Sequence, residues 1–266
     1  MSVFEQWWIP IEQMINANES LNFFQTIYKE IYMNVIRDNR WALYLNGLWV
    51  TLQVSFFAIV AGTLLGTLLA VLRLPDVTEY RYRGQNPLKR FCAWLLKGLC
   101  WFAKFYIDLI RGTPLLLQVL IINFGIFGTI RIDKVIIGVI ACGLNSAAYV
   151  AEIVRGGILS VDRGQTEAGR SLGFSGYATM MNIILPQAAK SALPALCNEF
   201  IALIKETSIL SYIALTELTK AGDYIRSRTY SAFTPYIISG LLYLLVTLVL
   251  TRLIGRLERR LRNSER

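Results

Sequence analysis

From Gly47 to Leu72 the chain runs for 26 residues without a charge. As a helix that stretch reaches about 39 Å, more than the roughly 30 Å hydrocarbon core of a bilayer, so it predicts a membrane span with length to spare for tilt. Gly112 to Ile130 and Tyr230 to Thr251 are also uninterrupted by charge, and Val135 to Val154 holds a single carboxylate, Glu152. Each predicts a further span. A fifth is less regular, because the apolar stretch after Phe174 is broken by Lys190, Glu199 and Lys205 and carries Pro186 and Pro194. The pattern predicts an all-α polytopic membrane protein with five transmembrane helices, at about 47–72, 112–130, 135–154, 191–212 and 230–251. These lie in a transmembrane domain over 47–262, after an N-terminal segment 1–46 and ending in a basic tail, 252–266.

Lys and Arg collect in alternate loops. Arg73 to Lys104 carries seven, Arg155 to Lys190 four and Arg252 to Arg266 six, against three in Met1 to Asn46 and two in Gly125 to Lys134. Basic loops stay in the cytoplasm, so the pattern predicts an inner-membrane protein with its N-terminus outside and its C-terminus inside. The net charge of +9 then follows from topology and anionic lipid and calls for no nucleic acid. With 55% hydrophobic and 17% charged residues, the chain has too few polar side chains to clothe a soluble globule of 266 residues.

No cleavable leader is expected, since Glu5 and Glu12 stand where a basic start and an apolar run would be needed. Trp7, Trp8, Phe23, Phe24, Tyr28, Tyr32 and Trp41 recur at spacings an interfacial helix uses. Cys92, Cys100, Cys142 and Cys197 show no CxxC pairing and the chain has no histidine, so unpaired thiols and no metal site are expected. The missing histidine also removes Ser or Cys catalysis with a histidine base. No GxxxxGK[ST] loop is present to cradle a nucleotide, so any ATP is bound by another chain. No bond chemistry of the chain's own is expected.

Between the third and fourth spans, Gly156 to Lys190 reads as two short helices. Asp162 caps the first, Gln165 completes a capping-box pattern, and Gly173 ends it in a left-handed cap. Ala168 and Gly169 on one side admit a close backbone, while Glu167 and Arg170 offer directed polar contacts and Leu172 an apolar anchor. The loop reads either as a knob for a partner's groove or as an ordinary amphipathic helix.

Polar residues inside spans are candidates for function. Asn145, Tyr149 and Glu152 share a face of the third span and form a mixed polar and aromatic surface; alternatively Glu152 pairs with Arg155 or Arg111. On the fourth, Asn198, Ala202 and Lys205 share a face with Glu199 beside them, lining a pore or forming internal ion pairs through Glu199 and Lys205. Gly112 and Pro114 open the second span abruptly after an interfacial segment, Phe91 to Ile110, and with Pro186 are hinge candidates. The leucines and arginines of Arg252 to Arg262 extend the last helix along lipid headgroups.

Glu167-Ala168-Gly169, three residues, Gly173, nine residues and Ile183-Ile184-Leu185-Pro186 resemble the EAA loop of permease subunits in ABC importers. Arg111-Gly112-Thr113-Pro114-Leu115, Ala148 to Gly157, Asn198-Glu199-Phe200-Ile201 and Lys205-Glu206-Thr207-Ser208 are similar to its polar amino acid branch, the permeases for histidine, glutamine, arginine and cystine. The likeness runs from about Leu45 to Arg262. It implies a type I importer fold in which the loop is a coupling helix seated in a cytoplasmic ATPase. It further implies a second permease subunit, identical or homologous, two ATPase subunits that hold ATP and Mg, an extracytoplasmic solute-binding protein, and a polar amino acid as substrate. Gly169 departs from the family's usual alanine, at about 1 kcal/mol of helix propensity. The chief rival is an ion-coupled secondary amino acid transporter with Glu152 and Glu199 as its ion sites; such a carrier needs no EAA-like loop.

Overall fold

The computed structural model describes residues 3–17, 20–74 and 87–263. Residues 75–86 of the basic segment Arg73 to Lys104, and 264–266 of the tail, lie outside the described residues. The aromatic N-terminal segment forms α1 (Val3–Asn16) and α2 (Phe23–Ile31). Asn22 and Gln25 close a reciprocal capping box on α2, both bonds 2.9 Å, and Trp8 of α1 stacks on Tyr32 at 4.5 Å. The chain then turns through Asp38 and Asn39, both at positive φ, into α3 (Trp41–Leu72).

Helix α3 is apolar on all sides, and what selects its buried face is size. Gly47, Thr51, Ala58, Gly62 and Gly66 repeat at helical spacing and are buried. A Cβ on Gly62 would stand 3.0 Å from Ser146 Cβ, and one on Gly66 2.7 Å from Val150 Cβ. Small residues bring α3 and α6 (Lys134–Leu159) into near backbone contact, the packing expected where lipid removes any hydrophobic drive between helices. Val54, Ala58, Ile137 and Ala141 centre one core cluster; Leu69, Ala70, Ala147 and Ala151 centre a second.

The predicted second span is shorter than its charge-free run. The chain enters it from α4 (Pro87–Arg111), breaks at Gly112-Thr113-Pro114, and continues as α5 (Leu115–Leu120) with a π-helical extension, Ile121–Ile126. These 12 helical residues reach about 18 Å, too little to cross alone, and they are bent 108° from α4. Proline at the break removes a donor, so the bend falls there.

Beyond α6 come α7 (Arg163–Ser171), α8 (Gly176–Thr179) with a π-helical turn (Met180–Ile184), α9 (Leu185–Glu206), a 3-10 turn (Thr207–Ile213), α10 (Leu218–Thr229) and α11 (Thr234–Asn263). The expected 191–212 span is thus α9, which starts earlier and ends at Glu206. By length and apolarity three helices can cross a membrane, α3, α6 and α11, and a fourth if the bent pair counts as one. Five is not reached on those grounds, because α9 carries Lys190, Glu199, Lys205 and Glu206. The helix α11 continues to Asn263, so much of the tail prolongs the last span.

Helix α10 packs over the start of α3. Glu217 caps it, accepting from Thr219 N–H at 2.8 Å, Lys220 N–H at 2.7 Å and the Tyr243 hydroxyl of α11 at 2.7 Å. Burial pushes its carboxyl above the usual range. The N-terminal helices are tied to the same end: Glu30 accepts from Ser231 and Thr234, each at 2.6 Å.

Candidate functional site

The loop after α6 is built as a projecting helix. Asp162 caps α7, accepting from Gly164 N–H at 2.6 Å. Gln165 does not complete the capping box; its side chain accepts from Gln187 at 3.4 Å. Gly173, at φ +83°, ends the helix, with Phe174 N–H donating to Gly169 O at 3.1 Å and Gly173 N–H to Arg170 O at 3.0 Å, the paired bonds of a Schellman cap. Glu167, Ala168, Arg170 and Leu172 are exposed, Leu172 at 77%.

Gly169 is not on that exposed side. It is buried against the chain itself: a Cβ there would stand 2.7 Å from Thr179 Cγ2 and 3.2 Å from Ile183 Cδ1. The expectation that Ala168 and Gly169 jointly admit a partner's backbone is corrected, since successive helical residues point about 100° apart. Thr179 fills the place that a methyl on residue 169 would take.

On α6, Asn145 is buried and donates to Gln118 Oε1 at 2.9 Å. Gln118 Nε2 donates to Ile110 O at 2.8 Å, Thr113 Oγ1 at 2.8 Å and Thr113 O at 3.1 Å, satisfying carbonyls that the break before α5 leaves open. Tyr149 is 38% exposed under the Arg111 guanidinium, 5.6 Å from its centroid. Glu152 is engaged on both oxygens, one by Arg155 at 2.8 Å and the other by Arg73. Arg111 forms no ion pair with it, and of the three residues expected to share a polar surface Tyr149 is the most exposed.

Helix α9 separates its polar residues onto two sides. Gln187, Ser191, Asn198 and Lys205, spaced four, seven and seven apart, are exposed along one strip. Glu199 turns inward and accepts from Ser146 Oγ at 2.8 Å. Among the described residues neither Glu199 nor Lys205 forms an ion pair within this chain.

Gly112 N–H makes the last helical bond of α4, to Asp108 O at 2.9 Å, and Pro114 starts α5 at φ −64°. Pro186 stands where the π-helical turn Met180–Ile184 passes into α9, so the missing donor falls at a change of helical register. All three therefore sit at element ends.

Two clefts open at opposite ends of the helices. Near α7, one of about 830 Å³ is lined by Asp162, Lys190, Ser191, Glu258 and Arg259. Near α10, one of about 560 Å³ is lined by Ser208, Tyr212, Lys220, Asp223 and Tyr236. There the Lys220 ammonium, 2.9 Å from Asp223, together with Arg226 and Tyr236 holds the Asp223 carboxyl down to about 2. Among the described residues no three His, Cys, Asp or Glu side chains converge as a metal site.

Gln118, Ser146 and Arg73 were not singled out from sequence as site residues. Gln118 and Ser146 stand out as polar groups inside apolar runs, a signal that was present; Arg73 had no local signal beyond its charge.

Residues 91–263 match the family described as binding-protein-dependent transport system inner membrane component. The arginine transport system permease protein ArtQ of Bacillus subtilis is 34% identical to the chain, covering 83% of it and 93% of its own length. The glutamine transport system permease protein GlnP of Escherichia coli K12 matches equally, at 34%, 83% and 93%. Among solved structures, a crystal structure of an amino acid ABC transporter with histidines is 37% identical with a TM-score of 0.71, covering 91% of this chain and 99% of that one. An inward-facing MetNI methionine ABC transporter, at 19% identity and a TM-score of 0.65, shares the fold.

Proposed function

This chain belongs to the family of binding-protein-dependent transport system inner membrane components and is the permease subunit of an amino acid importer of the ATP-binding cassette class, and from that premise we propose how it couples to ATP and where substrate passes. Helix α7 is the coupling helix. Glu167, Arg170 and Leu172 seat in a cleft of a cytoplasmic ATPase, and Gly169 and Gly173 set the helix on its base. ATP and Mg are held by that ATPase, since this chain lacks a phosphate-cradling loop.

The observation that carries the reading is a helix capped at both ends whose charged residues, Arg163, Glu167 and Arg170, are exposed and form no ion pair within the described chain. Such a helix is shaped to be completed from outside. The polar strip of α9 supports a second permease subunit, identical or homologous, facing it across the translocation path. Exposed amide, hydroxyl and ammonium groups are costly against lipid and suited to a wet path. Two ATPase subunits and an extracytoplasmic solute-binding protein complete the assembly. The substrate is a polar amino acid, the class to which the arginine and glutamine of the relatives' names belong. The membrane is a bacterial inner membrane, with the N-terminus outside and the basic C-terminus in the cytoplasm.

The test is ATP-dependent uptake of radiolabelled amino acids into proteoliposomes holding the chain with its ATPase and binding protein. Glu167→Lys abolishes uptake while the permease stays folded. Uptake indifferent to ATP but driven by an ion gradient would overturn the reading.

A further inference from the structure

Helix α4 belongs to neither the docking helix nor the polar strip, and its surface is divided three ways. One sector packs on the protein: Ala103 and Ile107 are buried against α3 and α6, and the Tyr106 hydroxyl donates to Leu144 O at 2.6 Å. A second is aromatic and open, with Trp94 71%, Trp101 68% and Phe102 55% exposed. Between them run Arg90, Lys97, Lys104 and Arg111, seven residues apart.

A seven-residue step drifts only about 20° around a helix, so these four form a strip about 60° wide and about 32 Å long. Asp108 is the one carboxylate of α4, leaving the strip in clear positive excess. Among the described residues none of the four forms an ion pair, although Arg111 lies over the Tyr149 ring. With charges from Lys89 to Arg111, α4 is not itself one of the long apolar spans. Its partners Leu69, Ala70, Ala148 and Ala151 lie toward the C-terminal ends of α3 and α6, the end from which α7 projects.

We infer that α4 is an anionic-lipid-binding helix. Its aromatic sector sits at the boundary of acyl chains and headgroups, where α3 also exposes Leu64 and Leu68, and its basic strip binds the phosphates of anionic phospholipids in the leaflet on the α7 side. Charge selects the headgroup, and the flanking tryptophans favour lipid over a soluble protein as occupant. The lipid holds α4 against the membrane up to Arg111, the residue before the break into α5.

Native mass spectrometry of the full-length chain, equilibrated with equimolar phosphatidylglycerol and phosphatidylcholine, tests this. Wild type retains phosphatidylglycerol in preference. Lys97→Gln with Lys104→Gln lowers the phosphatidylglycerol-to-phosphatidylcholine ratio by about five-fold per charge removed. Lys97→Arg with Lys104→Arg keeps the preference, as does Arg131→Gln with Arg228→Gln at the opposite end of the helices. A ratio unchanged by the lysine-to-glutamine pair, or lowered as far by the arginine-to-glutamine pair, overturns the inference.

Discussion

Asn145 on α6 donates its amide to Gln118 Oε1 at 2.9 Å, and through Gln118 it is connected to the Ile110 and Thr113 carbonyls on the other side of the 108° bend. One side chain thus satisfies the backbone groups exposed by the break and fastens the bend to the central helix. A buried donor or acceptor left alone costs about 1–3 kcal/mol. Gln118→Leu, which orphans several at once, should lower stability by about 3 kcal/mol. Asn145→Ala, which leaves the bonds to the carbonyls in place, should cost about 1 kcal/mol. Thermal unfolding in detergent checks the order, and an Asn145 variant as damaged as the Gln118 variant would contradict it.

The seat of α7 can be rebuilt. Gly169→Ala gains about 1 kcal/mol of helix propensity, but its methyl meets Thr179 Cγ2 at 2.7 Å and Oγ1 at 2.9 Å, and overpacking costs about 1–3 kcal/mol. The single variant should loosen α7 and reduce ATP-dependent uptake. Gly169→Ala with Thr179→Ala removes the clash and should recover both. Hydrogen exchange over residues 163–171 reads the loosening directly; a double variant no better than the single one would contradict the account.

Glu152 should behave as a structural ion pair. Both oxygens are taken by Arg73 and Arg155, with one-fifth of its side chain exposed. Glu152→Gln should cost about 1–2 kcal/mol, between the values for surface pairs and buried ones. The KM for uptake should stay within about two-fold of wild type. A KM raised about ten-fold at unchanged stability would instead put Glu152 on the substrate.

Asn198 should show the opposite balance. It is exposed on the strip of α9 and makes no bond within the described chain. Asn198→Leu should leave the melting temperature of the isolated chain unchanged and lower uptake about ten-fold, the effect of losing one polar contact of about 1.4 kcal/mol along the path. Full uptake in this variant would remove the strip from the translocation path.

The cluster at the α10 end has a pH signature. Asp223 is held at about 2, first by its hydrogen bond from Lys220, against an ordinary value of 3.8. A depressed carboxylate contributes stability that is present above the ordinary value and lost as pH falls through the depressed one. The stability gap between wild type and Asp223→Asn should therefore be constant above about pH 5 and shrink as pH falls toward 2. Unfolding measured across that range checks it, and a gap widening on acidification would be the wrong sign.

Much of the fold was legible in the chain because its causes are local. A run without charge such as Gly47 to Leu72 has only the bilayer as a comfortable solvent, and Asp162 and Gly173 cap α7 with groups no more than a few residues away. The 112–130 and 191–212 spans were less legible: a bend at Pro114 divides the first, and the charges on α9 make its apolarity depend on what faces each side.

The sequence by itself determined the solvent of this protein, its helical class, the position of the projecting loop after α6 and its kinship, since hydropathy, caps and motif spacing are all written within one or two turns of chain. Tertiary structure decided which polar residues remain available. Glu152 was taken by Arg73 from 79 residues away, Asn145 by Gln118 and Glu199 by Ser146, while Asn198 and Lys205 were left outside. The physical reason is that a polar group in an apolar interior must find a partner. Which partner it finds depends on the close approach of α3, α5, α6 and α9, and glycines such as Gly62 and Gly66 set that approach only once the helices are packed.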